Sequence, residues 1–196
     1  MFTMRLFAPL MLMTSLVAAF PPVSTSEKRA ALKSDAQFNF EPFKLTNICL
    51  DCDRPNATAT YSCRVKFDWY DPNSVKENPV SSCTCNSTAF SWDGTEGTTN
   101  TNISNSGGAY ELCSWAGNDH DYSYFEMRLF SFQTAENFTL EIAHHYKDEA
   151  QFPAPYQYPT TFARPTLTLP VVHKDEKSTS LYAAGPVNAT VVGIAD

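Results

Sequence analysis

The chain has 196 residues, of which 43% are hydrophobic and 13% aromatic, so it is long enough for one domain with a buried core. The chain contains 14 Lys and Arg and 21 Asp and Glu, which gives a net charge of −7. This charge excludes the basic surface that binds nucleic-acid backbones or anionic membranes. Intrinsic disorder along the whole chain is also excluded, because 14 Phe, 9 Tyr and 3 Trp require burial.

The first 36 residues have the organisation of a secretory leader. Residues 1–19 combine a positive charge at Arg5 with an apolar stretch and small residues near the cleavage position, which is typical of a signal peptide. Residues 20–36 form a Pro/Ser-rich linker with the dibasic pair Lys28-Arg29, either a cleavage site for a kexin-type protease or two solvated charges. No later apolar run is long enough to cross a bilayer. We therefore expect a disordered leader and a secreted, extracellular product.

Two further features are typical of an extracellular protein. Five Asn-x-Ser/Thr sequons predict glycosylated surface positions, at Asn56, Asn86, Asn102, Asn137 and Asn188. Six cysteines in an oxidising compartment predict up to three disulfides with 15 possible connectivities, formed by Cys49, Cys52, Cys63, Cys83, Cys85 and Cys113.

The spacing of the cysteines restricts their pairing. Cys83 and Cys85 would lie on one face of a strand, where bridging them to each other strains the geometry, so we expect separate partners for them. Because Cys113 lies far downstream, at least one bridge should close a long loop. Cys49-x-x-Cys52 could instead be a redox pair or half a zinc site, but no second Cys-x-x-Cys accompanies it. We expect neither a metal nor a cofactor.

Hydrophobic alternation predicts an all-β fold. In residues 61–69 every second residue is apolar, beginning at Tyr61 and ending at Trp69, which predicts a half-buried strand followed by a turn at 71–74. Further strands are predicted at residues 37–43, 83–92, 110–115, 122–132 and 138–146. Short strands separated by turn signals indicate a small antiparallel β-sandwich or β-barrel, stapled by disulfides, spanning residues 37–173 as a single domain.

The polar and Pro-rich segments predict irregular structure. Residues 94–108 form a long polar loop rich in Thr, Asn, Ser and Gly. Beyond residue 150 the chain is a Pro-rich extension, in which 166–169 and 171–173 are candidates for an edge strand. Residues 174–196 begin with a polar run that has nothing to bury, so we expect a loose C-terminal tail.

Three short motifs of the central region occur together. Tyr61-Ser-Cys63 opens an alternating strand, Cys83-Thr-Cys85 is followed by Phe90-Ser-Trp92, and Phe138-Thr-Leu-Glu-Ile142 forms a closing strand. On these motifs rests the resemblance of residues 63–148 to the small secreted β-barrel proteins of fungi related to the Alternaria major allergen. It implies an extracellular, disulfide-bonded protein without a known catalytic centre. In plant pathogens it implies a candidate effector acting on host tissue.

One set of residues could carry catalysis. A group of acid–base side chains could cleave a phosphodiester, as in small secreted ribonucleases, with the arginine neutralising the phosphate. The group consists of Asp119-His120-Asp121, Glu126, Arg128 and His144-His145, in which His120, Glu126, Arg128 and His144 are the catalytic candidates. The alternative is that Glu126 and Arg128 belong to the solvated face of a strand that buries Phe125 and Met127 on its other side. The adjacent His144 and His145 point to opposite faces of a strand, so they cannot bind one metal ion together.

The sequence therefore favours a secreted binding protein without a catalytic centre that acts on an extracellular host protein or glycan. The chain has flat aromatic rings of the kind that sugars and proteins stack against, and the alternative is that most of them are core. These rings belong to Trp69-Tyr70, Trp92, Trp115, Tyr122-Ser-Tyr124-Phe125 and Tyr156-Gln-Tyr158. The alternatives are a small secreted hydrolase, ribonuclease-like in its chemistry, or a passive structural protein of the cell wall.

Overall fold

The computed structural model describes residues 39–74, 81–95, 109–115 and 123–195, which form an all-β structure. The strands of this part of the chain are β1 (Phe43–Asp53), β2 (Tyr61–Tyr70), β3 (Ser82–Asn86), β4 (Phe90–Trp92), β5 (Glu111–Leu112), β6 (Ser114–Trp115), β7 (Tyr124–Thr134), β8 (Asn137–His145), β9 (Thr160–Ala163), β10 (Thr166–Thr168), β11 (Val171–Lys174), β12 (Ser178–Ala183), β13 (Val187–Ala189) and β14 (Val191–Ala195). Among these residues there is no helix long and apolar enough to span a membrane.

The strands form two antiparallel sheets. The first sheet has the order β11-β12-β1-β2-β3-β6, with β13 pairing β1 and β4 pairing β2. The second has the order β14-β9-β8-β7-β5, with β10 pairing β8. The predicted all-β fold is therefore confirmed.

The inner faces of the two sheets pack against each other and form the core. Tyr61 and Trp69, the ends of the predicted alternating strand, are both buried, as are the apolar residues between them. The Trp69 ring meets Phe125 of the second sheet at 4.7 Å between centroids, and Phe90 meets Phe132 at 5.1 Å. These edge-to-face contacts join one sheet to the other, so the predicted sandwich alternative describes the architecture.

The first strand of the domain differs from the prediction because a bulge interrupts its alternation. The prediction placed a strand at 37–43, whereas β1 begins at Phe43 and continues to Asp53. Leu45 points into the core, but the next inward residue is Ile48, since Asn47 adopts a left-handed conformation with a φ of 51°. The extra residue shifts the inward-facing positions by one, so the sequence of this strand does not alternate regularly between apolar and polar residues.

The C-terminal tail predicted to be loose is instead part of both sheets. Strand β12 lies between β11 and β1, and β14 pairs β9 in the second sheet. Contrary to the prediction that this polar segment buries nothing, Thr179 and Leu181 alternate into the core and are 4% and 0% exposed. The domain therefore extends to residue 195 rather than ending at 173. The predicted signal peptide and linker, residues 1–36, lie outside the described residues.

The cysteines form two disulfides rather than three. Cys52 is bonded to Cys63, and Cys85 to Cys113 across 28 residues of sequence. Cys83 and Cys85 do point to one side of β3 without being bonded to each other, as predicted. The expectation that all six cysteines form bridges is wrong, since Cys49 and Cys83 are free thiols. They cannot pair, because Cys49 lies on the outer face of the first sheet while Cys83 is buried.

Candidate functional site

The predicted acid–base residues are divided between the two faces of the second sheet. Glu126 and Arg128 lie on the outer face of β7, whereas His144 of β8 points into the core and is fully buried. Adjacent residues of a strand face opposite ways, so it is His145 that joins Glu126 on the outside. Of the predicted set, His145 therefore lies with Glu126 and Arg128 on one face, while the candidate His144 is separated from them in the core. The predicted His120, with its neighbours at 119 and 121, lies outside the described residues.

His145 is held by three neighbours on the outer face. Its Nε2 lies 3.4 Å from a carboxylate oxygen of Glu126, and its Nδ1 lies 2.7 Å from the hydroxyl of Thr160. The Tyr124 ring stacks on the imidazole at 4.1 Å. Burial lowers the pKa of His145 below its usual value, while Glu126 acts in the opposite direction. The net shift favours the neutral imidazole at neutral pH, the form that accepts a proton.

A second cluster on the same face is centred on Glu141. This carboxylate is 2% exposed and accepts hydrogen bonds from Arg128 at 2.5 Å, from the Tyr110 hydroxyl at 2.5 Å and from Arg164. Burial raises the pKa of Glu141, but the hydrogen bonds from Tyr110 and Arg164 and the charge of Arg128 outweigh it, so the pKa lies below its usual value. The same contact and burial raise the pKa of Tyr110 to about 12. Glu141 is therefore the anion that holds the two guanidinium groups in place.

The two arginines flank an exposed aromatic ring. The guanidinium of Arg164 lies 4.6 Å from the centroid of Phe130 and that of Arg128 lies 5.8 Å from it. Phe130 is 48% exposed and the Arg164 side chain 49% exposed. We call Arg128, Phe130, Glu141 and Arg164 the arginine cluster. An exposed ring between two fixed cations is suited to a ligand with a flat apolar part and an acidic group.

The buried His144 belongs to a polar network inside the sandwich. Its Nδ1 lies 2.6 Å from a carboxylate oxygen of Asp71, and its Nε2 lies 3.3 Å from the Ser123 hydroxyl. The order of atoms is that of a Ser-His-Asp triad, but Asp71 and His144 are 0% exposed and Ser123 is 1% exposed. A nucleophile needs contact with substrate, so we interpret the network as a link between the β2–β3 turn and the second sheet. Sequence reasoning missed it because these residues are far apart in the chain.

Within the described part of the chain, a group of three or more possible metal ligands occurs only at the disulfide between Cys85 and Cys113. The sulfur atoms of Cys83, Cys85 and Cys113 lie within 4.8 Å of one another. Since Cys85 and Cys113 are bonded, only the Cys83 thiol remains, and burial raises its pKa to about 12. In this oxidised state the group offers no set of thiolate ligands.

The predicted aromatic faces are partly core and partly surface. Trp69 and Trp92 are buried, whereas Tyr70 is 43% exposed and Tyr124 is half-buried on the outer face. Of the sequons, Asn56, Asn86 and Asn188 are exposed, Asn137 is half-buried at the start of β8, and Asn102 lies outside the described residues. Asn137 is thus the one described sequon on a strand of the second sheet, at the opposite end of β8 from His145.

Comparison with known proteins does not assign a family. No family model matches the chain, and neither a curated protein nor a solved structure matches it significantly. The function must therefore be argued from the site itself.

Proposed function

We propose that the protein is a secreted, effector- or allergen-like binding protein that recognises an acidic group on a host protein or glycan. The disulfides and the sequons support an extracellular location. The observation that carries the proposal is the arginine cluster, in which one buried carboxylate fixes two partly exposed guanidinium groups beside an exposed Phe130.

The geometry of the cluster supports recognition of a carboxylate. A guanidinium has five N–H donors in a planar fork, and Glu141 contacts Arg164 through Nε, so donors remain for a second acid. Because Glu141 already orders both side chains, a ligand loses little free energy to fixing them. The exposed ring adds an apolar contact of the kind made with sugar rings and aliphatic side chains.

The test compares acidic polymers with matched neutral ones by calorimetry on the intact secreted protein. Polygalacturonate and polyglutamate present carboxylates from a glycan and from a protein backbone, and the methyl ester of polygalacturonate removes the charge while keeping the polymer. We expect binding to at least one acid and none to the ester, with an affinity that falls as salt is added. Equal binding to acid and ester, or to neither acid, would contradict the proposal.

A small hydrolase is the second candidate, and the placement of Glu126, Arg128 and His145 on one face favours it. In phosphodiester cleavage a neutral His145 would accept the proton of the attacking 2′-hydroxyl as its oxygen bonds to phosphorus, while Arg128 neutralises the phosphate. The bond from phosphorus to the 5′-oxygen would break, and that oxygen would take a proton from solvent water. Product release from RNA should be compared between wild type and the variants His145→Ala and Glu126→Gln. These variants change the outer face alone, whereas a change at His144 would also disturb the core. Loss of release in both would support this candidate, and absence of release from wild type would exclude it for RNA.

A further inference from the structure

The outer face of the first sheet contains two lateral rows of residues that each begin at a sequon. In the first row, Asn188 of β13 lies opposite Lys44 of β1, which lies opposite Tyr70 of β2. The Lys44 ammonium sits 5.9 Å from the centroid of the Tyr70 ring. The row therefore leads from a glycosylation acceptor, across one lysine, to an exposed tyrosine.

The second row also runs from a sequon across a lysine to an exposed tyrosine, with Cys49 between the lysine and the tyrosine. Asn86 of β3 lies opposite Lys66 of β2, which lies opposite Cys49 of β1, and Cys49 lies opposite Tyr182 of β12. Tyr182 is 39% exposed. Adjacent strands are about 4.8 Å apart, so Asn188 and Tyr70 are two strand spacings, or about 10 Å, from each other. Asn86 and Tyr182 are three spacings, or about 15 Å, apart.

Each row crosses a depression in the sheet surface. The depression beside Asn188 has a volume of about 420 Å³ and is lined by Lys44 and Tyr70. The depression beside Asn86 has a volume of about 510 Å³ and is lined by Cys49, Lys66 and Tyr182.

A row of hydrogen bonds lies where the two depressions adjoin, since Asp68 and Thr84 line both of them. The Tyr182 hydroxyl donates to Asn47, whose amide donates to Asp68, and Asp68 also accepts from the Thr84 hydroxyl. The left-handed Asn47 of the bulge is what places its amide between these strands.

We propose that N-glycans attached at Asn86 and Asn188 fold over these two depressions and cover the outer face of the first sheet. An N-glycan begins with two N-acetylglucosamine residues, whose apolar faces stack on tyrosine rings and whose hydroxyls bond to lysine and carboxylate groups. The covalent attachment next to each depression makes the glycan's local concentration high, so weak contacts are enough to hold it there. The outer face of the first sheet then carries no free ligand site. This inference rests on the secretion that is part of the proposed function, and it does not depend on binding of an acidic ligand.

The test is chemical footprinting of the secreted, glycosylated protein and three single variants. Asn188→Gln should raise nitration of Tyr70 severalfold, and Asn86→Gln should raise nitration of Tyr182. Asn56→Gln is the matched control, because its sequon lies in the β1–β2 turn and should change neither tyrosine. Tyr156, which is 47% exposed and lies on neither row, serves as the internal reference in every sample.

Alkylation of Cys49 gives a second readout for the row that begins at Asn86. Burial raises the pKa of this thiol to about 11, so the reaction is run at alkaline pH. We expect Asn86→Gln to accelerate the alkylation and Asn188→Gln to leave it unchanged. Finding no glycan on Asn86 and Asn188 by mass spectrometry, or equal reactivity of Tyr70, Tyr182 and Cys49 with and without the glycans, would overturn the proposal.

Discussion

Removing the buried carboxylate of Asp71 should destabilise the fold far more than removing the carboxylate of Glu126 at the surface. Asp71 and His144 are both 0% exposed and their side chains lie 2.6 Å apart. Breaking a buried pair by deleting one partner costs about 3–5 kcal/mol, because the other partner stays buried without its bond. Asp71 also accepts two hydrogen bonds from Asn73 in the turn, both at 2.8 Å, which adds to the loss. At about 2–4 °C per kcal/mol for a domain of this size, Asp71→Ala should lower Tm by about 6–20 °C.

The matched control uses the neighbouring histidine. Glu126→Ala removes the carboxylate that faces His145 at 3.4 Å on the partly exposed outer surface, where such a pair contributes about 1 kcal/mol or less. Urea unfolding followed by tryptophan fluorescence gives both free energies, with the slope m checked for two-state behaviour. If Asp71→Ala costs no more than Glu126→Ala, the network is hydrated and our interpretation of it as a closed structural link is refuted.

Three further predictions concern the two free thiols, the disulfide that closes the longer loop, and Glu141. Unfolded, non-reduced protein should react with two equivalents of a thiol reagent, at Cys49 and Cys83, and mass mapping that finds a third bridge would contradict the structure. Replacing both Cys85 and Cys113 by Ala should lower the free energy of unfolding by about 3–4 kcal/mol, because the bridge closes a loop across 28 residues. A loss below about 1 kcal/mol, measured by urea unfolding, would disprove this stabilising role of the bridge. The lowered pKa of Glu141 means that its contribution to stability is complete above its ordinary value of 4.5 and is lost as the pH falls through the folded pKa. Glu141→Gln should therefore lower stability at neutral pH by about 1–3 kcal/mol and flatten the fall below pH 4.5, and an unchanged acid profile would count against the cluster.

Regular alternation made the centre of the fold predictable. The run beginning at Tyr61 became β2, and the predicted strands at 122–132 and 138–146 became β7 and β8 with small shifts at their ends. Local pattern failed where the chain departs from period two, at the Asn47 bulge. It also failed at β12, whose small polar residues become strand because β1 and β11 supply hydrogen-bond partners on both sides.

The candidate site was predictable only as far as the direction of side chains on a single strand. Placing Glu126 and Arg128 on one face follows from their spacing. The contacts of Arg128 with Glu141 and of Glu126 with His145 depend on the register between β7 and β8. The contact of Glu141 with Arg164 depends on where the Pro-rich segment rejoins the sheet at β9. Register and chain return are properties of the assembled sheet, and no short window of sequence contains them.

The most direct test of the account is the affinity of the acidic polymer for two variants that each lose one positive charge. One charge lies on the outer face of the second sheet and the other on the outer face of the first. Arg164→Ala removes a guanidinium from the arginine cluster, and Lys66→Ala removes an ammonium from the outer face of the first sheet. We predict that Arg164→Ala weakens binding at least about tenfold, since a charge-assisted hydrogen bond is worth about 1.5–3 kcal/mol, while Lys66→Ala has little effect. An equal loss in both variants would show attraction to net charge alone and would contradict recognition by the second sheet.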